Sequence, residues 1–206
     1  YLKHMSPRVL LTAFEPSEDW QENASWLTLV EMTRNLPTTP QVTTRRYPVC
    51  FDEVKRRLQD DLKANYDYAI HLGQAPGQGR IELEKIGLNV SGREGHAETF
   101  VPLMEDGPVA FQSSLPLGMW AARIRETGIP AEVSYHAGTF LCNATLYLSQ
   151  YFASLHGLKT QATFVHVPLA TSQIVECNHN FASMPTTMAA AALRLILDEI
   201  AMLDCA

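Results

Sequence analysis

Buried, β-prone runs and amphipathic helical runs take turns along the whole chain. This alternation predicts one α/β domain with helices on both faces of a largely parallel, twisted sheet. Two further observations agree. The 206 residues suffice for one substantial core, and 46% hydrophobic against 18% charged residues is the composition of an ordinary globular protein. No internal repeat, low-complexity tract or linker divides the chain, so residues 5–206 are read as a single domain. Residues 1–4, Tyr1-Leu2-Lys3-His4, are read as an expression-tag remnant ahead of Met5.

The elements follow in order. Arg8 to Phe14 is a buried strand, and Ser25 to Asn35 a helix with Ser25 as N-cap. Val42 to Val49 alternates as a strand does; Phe51 to Asn65 is a charged amphipathic helix. Tyr68 to Leu72 is a strand opening into the Gly73 to Gly79 loop, where Gly77-Gln78-Gly79 lacks the rest of any phosphate-binding fingerprint and reads as a turn. Ile81 to Ile86 alternates. Ser91 to Ser114 is polar, rich in Gly and Pro, and without periodicity; it is too long for a connector and reads as an active-site loop. Leu115 to Thr127 is a helix ended by Gly128 and Pro130, Ala131 to His136 a strand, Ala144 to Phe152 a helical run. Ala162 to Val167 is a strand stopped by Pro168, and Pro185 to Leu203 a closing apolar-faced helix.

Charge and cysteine usage exclude several classes. A net charge of −6 argues against general nucleic-acid affinity. Arg45-Arg46 and Lys55-Arg56-Arg57 lie among acidic residues and read as a strand end and a solvated helix face. No apolar stretch is long enough to span a bilayer and no signal peptide is visible, so a cytoplasmic protein is expected. Cys50, Cys142, Cys177 and Cys205 are widely spaced, which suits a reducing compartment rather than a disulfide framework. Glu176-Cys177-Asn178-His179 has no second ligand pair and reads as a polar loop; no metal or other cofactor is expected.

The chemistry centres on Cys142, at the junction between the Ala131 to His136 strand and the following helix. Unpaired N–H groups and the macrodipole in the first turn of a helix stabilise a thiolate, the form that attacks carbonyls. The same position also suits a buried small apolar side chain. His166 stands near the carboxyl end of a buried strand, where ligands gather in open α/β sheets, and can serve a thiol as general base if a third group fixes its tautomer. Taken alone, it equally suits a core histidine. Glu82 and Glu84 share one face of the Ile81 to Ile86 strand, and periodicity leaves open which of them, if either, is that third group.

These residues carry a resemblance. Val9 to Pro16, Ala69 to Gly77 with Ile81 to Asn89, Ala137-Gly138-Thr139-Phe140-Leu141-Cys142-Asn143 and Phe164-Val165-His166-Val167-Pro168 are similar, in order, to motifs of the pyroglutamyl peptidases of type I, the pyrrolidone-carboxylate peptidases. The likeness runs from Val9 to about Ile196. It implies a phosphorylase/hydrolase-like α/β fold and a cysteine peptidase that removes N-terminal pyroglutamate from peptides. Cys142 would be its nucleophile, His166 its base and Glu84, rather than Glu82, its third member. It further implies Phe14, Gln74 and Arg93 as substrate-binding residues, and a homo-oligomer, a tetramer in related enzymes.

The chain also departs from the family pattern. Ser17-Glu18-Asp19 replaces the usual Phe-Gly-Gly, so a serine stands where a second aromatic wall for the pyrrolidone ring belongs, at a cost of about 1–3 kcal/mol in binding. Lys85 replaces the arginine after the glutamate, and Ser91-Gly92-Arg93-Glu94-Gly95 does not align cleanly around the loop arginine. Two other readings remain open at this level: a family member that binds a related ligand with weakened turnover, and a nucleoside phosphorylase or hydrolase on the same architecture.

Overall fold

The computed structural model describes residues 6–17, 20–92 and 100–203. Residues 1–4, Met5, Glu18, Asp19, Arg93 and Cys205 lie outside them. Among the described residues, ten strands and five α-helices follow one another as β1 (Arg8–Phe14), α1 (Ala24–Thr33), β2 (Gln41–Tyr47), α2 (Phe51–Leu62), β3 (Tyr68–Gln74), β4 (Ile81–Glu84), β5 (Ile86–Leu88), β6 (Ala110–Gln112), α3 (Leu117–Glu126), β7 (Ala131–Ser134), α4 (Leu141–Leu155), β8 (Gln161–Val167), β9 (Leu169–Ala170), β10 (Ser183–Met184) and α5 (Thr186–Leu203). Six strands form the main sheet in the order β2-β1-β3-β8-β4-β7. All its pairings are parallel except one: β4 runs antiparallel to β8. The α/β expectation holds, with this single reversal beside the site.

Each face of the sheet buries a separate apolar layer. Helices α1, α3 and α5 cover one, with Leu29, Trp120, Ile124, Leu193 and Ile196 against Leu11, Ile70 and Val165. Helices α2 and α4 cover the other, with Val54, Leu58, Leu146 and Phe152 against Leu10, Ala69 and Phe164. Alternation along each strand sends successive side chains into opposite layers. The outer strands are blunted by charge: Arg45 on β2 pairs with Asp61, and Glu132 on β7 with Arg80.

Local chemistry moves several boundaries. Asn23, not Ser25, is the N-cap of α1: its Oδ1 accepts from the Ser25 N–H at 3.0 Å, while the Ser25 hydroxyl is buried and accepts from the Phe14 N–H at 3.1 Å. Asn65, with φ of 65°, stops α2 a few residues short of the sequence estimate. The 91–114 stretch is not all loop. Ala110–Gln112 pairs with β5, and Ser91 bridges to Val101. Three-residue strands are too short for periodicity to reveal. Gly87 is required where β5 crosses α4, since a Cβ there would come within 2.9 Å of the Tyr147 backbone.

His71 ties the central strands to α4. The Ser149 hydroxyl spends its proton on the Thr145 carbonyl (2.8 Å), so it accepts from His71 Nε2–H at 2.7 Å, and the Thr12 hydroxyl donates to Nδ1 at 2.8 Å. The ring is therefore neutral, and complete burial pushes its pKa down to about 3. The unfolded chain protonates this histidine near pH 6.5 and the folded chain does not, so stability is present above about pH 6.5 and falls by about 1.4 kcal/mol per unit of pH below it. Urea unfolding of wild type and His71→Asn is expected to show the stability gap between them narrowing by about 2 kcal/mol from pH 6.5 to pH 5. A constant gap would show that the ring is protonated in the folded state.

Candidate active site

Strands β1, β3 and β8 are parallel, so their carboxyl ends, at Phe14, Gln74 and Val167, share one edge of the sheet. Helix α4 begins at the same edge, and its second residue is Cys142. Gly138, with φ of 76°, turns the chain into the helix. The N-cap residue, Phe140, offers no side-chain acceptor, so the N–H groups of the first turn are left uncapped beside the half-buried thiol. Asn143 fastens this turn. It is fully buried, accepts from the Leu88 N–H at 2.8 Å, and donates to the carbonyls of Leu88 (2.9 Å) and Val90 (3.0 Å). A second stitch joins Thr139 and Gly92.

Gly73 and His166 lie opposite each other on β3 and β8. A Cβ at position 73 would stand 2.6 Å from the Phe164 ring and 3.0 Å from Cys142 Sγ, so only hydrogen fits between sheet and thiol. His166 Nδ1 is 2.7 Å from Glu84 Oε1, and Glu84 is fully buried. The Thr163 hydroxyl donates to the Glu84 carbonyl at 2.9 Å and holds the end of β4 against β8. Burial of the His166 ring opposes its charge. The charge and hydrogen bond of Cys142, then those of Glu84, outweigh burial and raise the imidazole to about 10. The Cys142 sulfur and the Glu84 carboxylate thus both bear on the His166 imidazole and favour its charged form.

Of the two carboxylates that periodicity left open, Glu84 makes the bond. Glu82 is half-buried and directly opposite His166 in the strand register; the bonded Glu84 is diagonal to it. One donor atom each from Glu82, Glu84 and His166 lie within 4.8 Å of one another, the one such metal-capable cluster found among the described residues. Its Nδ1 and Oε1 are already spent on each other, so the group reads as an acid–base cluster rather than a metal site.

Of the expected substrate-binding residues, Phe14 and Gln74 end strands at this same edge. Phe14 is buried, its ring 6.3 Å from that of Phe164, which in turn is 5.0 Å from His166. Gln74 Oε1 accepts from the Ala24 N–H (2.9 Å) and from Gln173 (3.1 Å), so this carboxamide latches β3 to α1 and to the 3-10 helix Thr171–Ile174. Arg93 lies outside the described residues. Sequence reasoning passed over Trp20, whose ring packs at 5.6 Å on Phe181, three residues beyond Ser17 in the same turn. It also passed over the Asn143 clamp. A buried asparagine in an otherwise apolar helical run is a signal for such a clamp, but its partners become visible only in three dimensions.

Fold and site define an α/β protein with a thiol–imidazole–carboxylate row at the carboxyl edge of its sheet. Residues 7–202 match the family model described as pyroglutamyl peptidase. The chain is 31% identical over 196 residues to the pyrrolidone-carboxylate peptidase of Bacillus cytotoxicus, covering 92% of this chain and 91% of that one. It is 33% identical over 175 residues to that of Pyrococcus furiosus, covering 82% and 84% of the two chains. The crystal structure of the pyrrolidone carboxyl peptidase of Fervidobacterium islandicum superposes with a TM-score of 0.88 at 29% identity, covering 94% of this chain and 98% of that one. The chain belongs to the pyroglutamyl peptidase family, a family of hydrolases.

Gly73→Ala tests the packing at the site. Its Cβ must displace the Phe164 ring or the Cys142 sulfur, so the variant is expected to lose about 1–3 kcal/mol of stability and to react more slowly at Cys142 with iodoacetamide. Unchanged stability and alkylation would show that the sheet edge is not closed against the thiol.

Proposed function

We propose that this protein is a cysteine peptidase that hydrolyses N-terminal pyroglutamate from peptides, with Cys142 as nucleophile, His166 as general base and Glu84 as the group that holds the imidazole. The observation that carries the reading is the 2.7 Å bond between His166 Nδ1 and the fully buried Glu84, formed where His166 also meets the Cys142 thiol. With Nδ1 committed to Glu84, Nε2 is the nitrogen left to exchange a proton with the sulfur.

The cycle then uses ordinary acyl transfer. The Cys142 thiolate attacks the pyroglutamyl carbonyl, and uncapped N–H groups of the first turn of α4 stabilise the oxyanion, each good donor contributing about 3 kcal/mol. The His166 imidazolium protonates the departing amine and Glu84 stabilises its positive charge until then. The amine leaves and a thioester remains on Cys142. Water, deprotonated by His166, attacks the thioester and releases pyroglutamate. Phe14, Gln74 and Arg93 are the substrate-binding residues in this reading, and a homo-oligomeric, cytoplasmic enzyme goes with it. Among the described residues, no helix is long and apolar enough to cross a membrane.

Release of aminomethylcoumarin from a pyroglutamyl-coumarin amide tests the activity. Cys142→Ser is expected to abolish nearly all turnover with the fold intact, and His166→Ala to lower the rate by several powers of ten. Near wild-type turnover in either purified variant would overturn the assignment.

The Ser17 departure makes a separate prediction. If position 17 borders the ring, Ser17→Phe restores apolar contact and lowers KM, up to tenfold for each 1.4 kcal/mol or so recovered, with kcat less affected. An unchanged or raised KM on the same substrate would show that this turn is not the wall of the ring pocket.

A further inference from the structure

Glu82 has no part in the thiol–imidazole–carboxylate row, yet the strand register brings it to that row. It is opposite His166 on β8 and opposite Glu132 on β7. Paired residues on neighbouring strands project from the same face, so the Glu82 carboxyl and the His166 ring share one side of the sheet. An oxygen from Glu82, an oxygen from Glu84 and a ring nitrogen of His166 all fall within 4.8 Å of one another.

The second observation is an unpartnered atom. Glu84 is fully buried; its Oε1 meets His166, and its Oε2 has no hydrogen-bond partner among the described residues. A buried carboxylate oxygen calls for a donor, and the carboxyl group beside it provides one whenever that group is protonated. Two carboxylates at this separation, one of them wholly out of water, do not both carry a charge at little cost. Glu82 is half-buried, so its proton exchanges with solvent more readily than that of Glu84.

We propose that Glu82 is a positioning residue of this site: it shares one proton with the buried Glu84 carboxylate, through Oε2, and so sets how much negative charge faces the His166 ring. The charged surroundings favour the arrangement. Burial raises the Glu82 carboxyl above the usual carboxylate range; His166 opposes, Glu84 and Glu132 add to the rise, and Arg80 opposes again. Arg80 is itself paired with Glu132 at 2.7 Å, which blunts both. When the shared proton leaves to solvent, a second negative charge appears near His166 and holds its ring proton more firmly. With the proton in place the imidazolium gives up its own proton more easily, which is the step that expels the leaving amine. This deepens the proposed function, but the proton sharing itself does not depend on which substrate the enzyme takes.

Ring NMR of the nitrogen-15-labelled protein, titrated from about pH 5 to pH 10, tests it directly. The His166 signals are identified by their loss in His166→Gln. Beside the influence of the Cys142 sulfur, which wild type and variant share, in wild type they are expected to show one inflection as Glu82 ionises and another as the ring loses its proton. In Glu82→Gln the former disappears and the latter moves down by about half a pH unit or more. His71, neutral throughout, reports an intact fold; should Glu82→Gln disturb it, Glu82→Thr is read the same way. Superposable His166 titrations in wild type and an undisturbed variant would overturn the proposal. Turnover of the pyroglutamyl-coumarin amide, measured on the same samples, keeps the two readings apart. The expected titration shift without turnover leaves the proton sharing standing and removes the peptidase reading. Turnover with superposable titrations does the reverse.

Discussion

The hydrogen bond between Glu84 and His166 is the constraint around which this edge of the molecule is arranged. A fully buried carboxylate costs several kcal/mol unless a positive or hydrogen-bonding partner meets it, and here the His166 imidazole is that partner at 2.7 Å. The single reversed strand accomplishes the meeting. Because β4 runs antiparallel to β8, Glu84 comes opposite Phe164, and its side chain crosses diagonally to His166 two residues on. The Thr163 hydroxyl holds the Glu84 carbonyl so that the diagonal stays short.

The remainder of the site is a matter of close approach. Cys142 can sit over the sheet because Gly73 presents no side chain, and β5 can cross α4 because Gly87 presents none. Asn143 then binds β5 to the first turn of α4, in one layer with the nucleophile. The thiol is therefore located against Gly73 of β3 and beside His166 of β8, on a turn that Asn143 ties to β5. Small residues set the distances, and buried polar groups set the directions.

Much of this was legible from residues alone. The long strands announced themselves by buried β-prone runs: Arg8 to Phe14 stands where it was expected. The helix N-terminus under Cys142 and the strand end at His166 were readable because both follow from local pattern. Three features were not. Periodicity put Glu82 and Glu84 on one face, and only the reversed direction of β4, which no local signal encodes, shows why the diagonal residue makes the bond. The N-cap of α1 was misplaced because Ser25 is a good capping residue by type, yet tertiary packing gives its hydroxyl to Phe14. The β5–β6 pair is three residues long on each side, and β6 lies in a segment whose Gly and Pro content masks it. Family resemblance supplied the choice of Glu84; hydrogen-bond geometry supplies the physical reason.

The central claim is that Cys142 forms a covalent bond with the pyroglutamyl group while His166 and Glu84 manage the protons. Mass spectrometry of the protein, quenched in acid during turnover of an activated pyroglutamyl ester, examines that bond itself. Attack on an ester forms the thioester faster than on an amide, while hydrolysis of the thioester is unchanged, so the intermediate accumulates. The account predicts one added pyroglutamyl group, located on the peptide containing Cys142. Steady release of pyroglutamate with no adduct on Cys142, or with the adduct on Cys50 or Cys177, would contradict it.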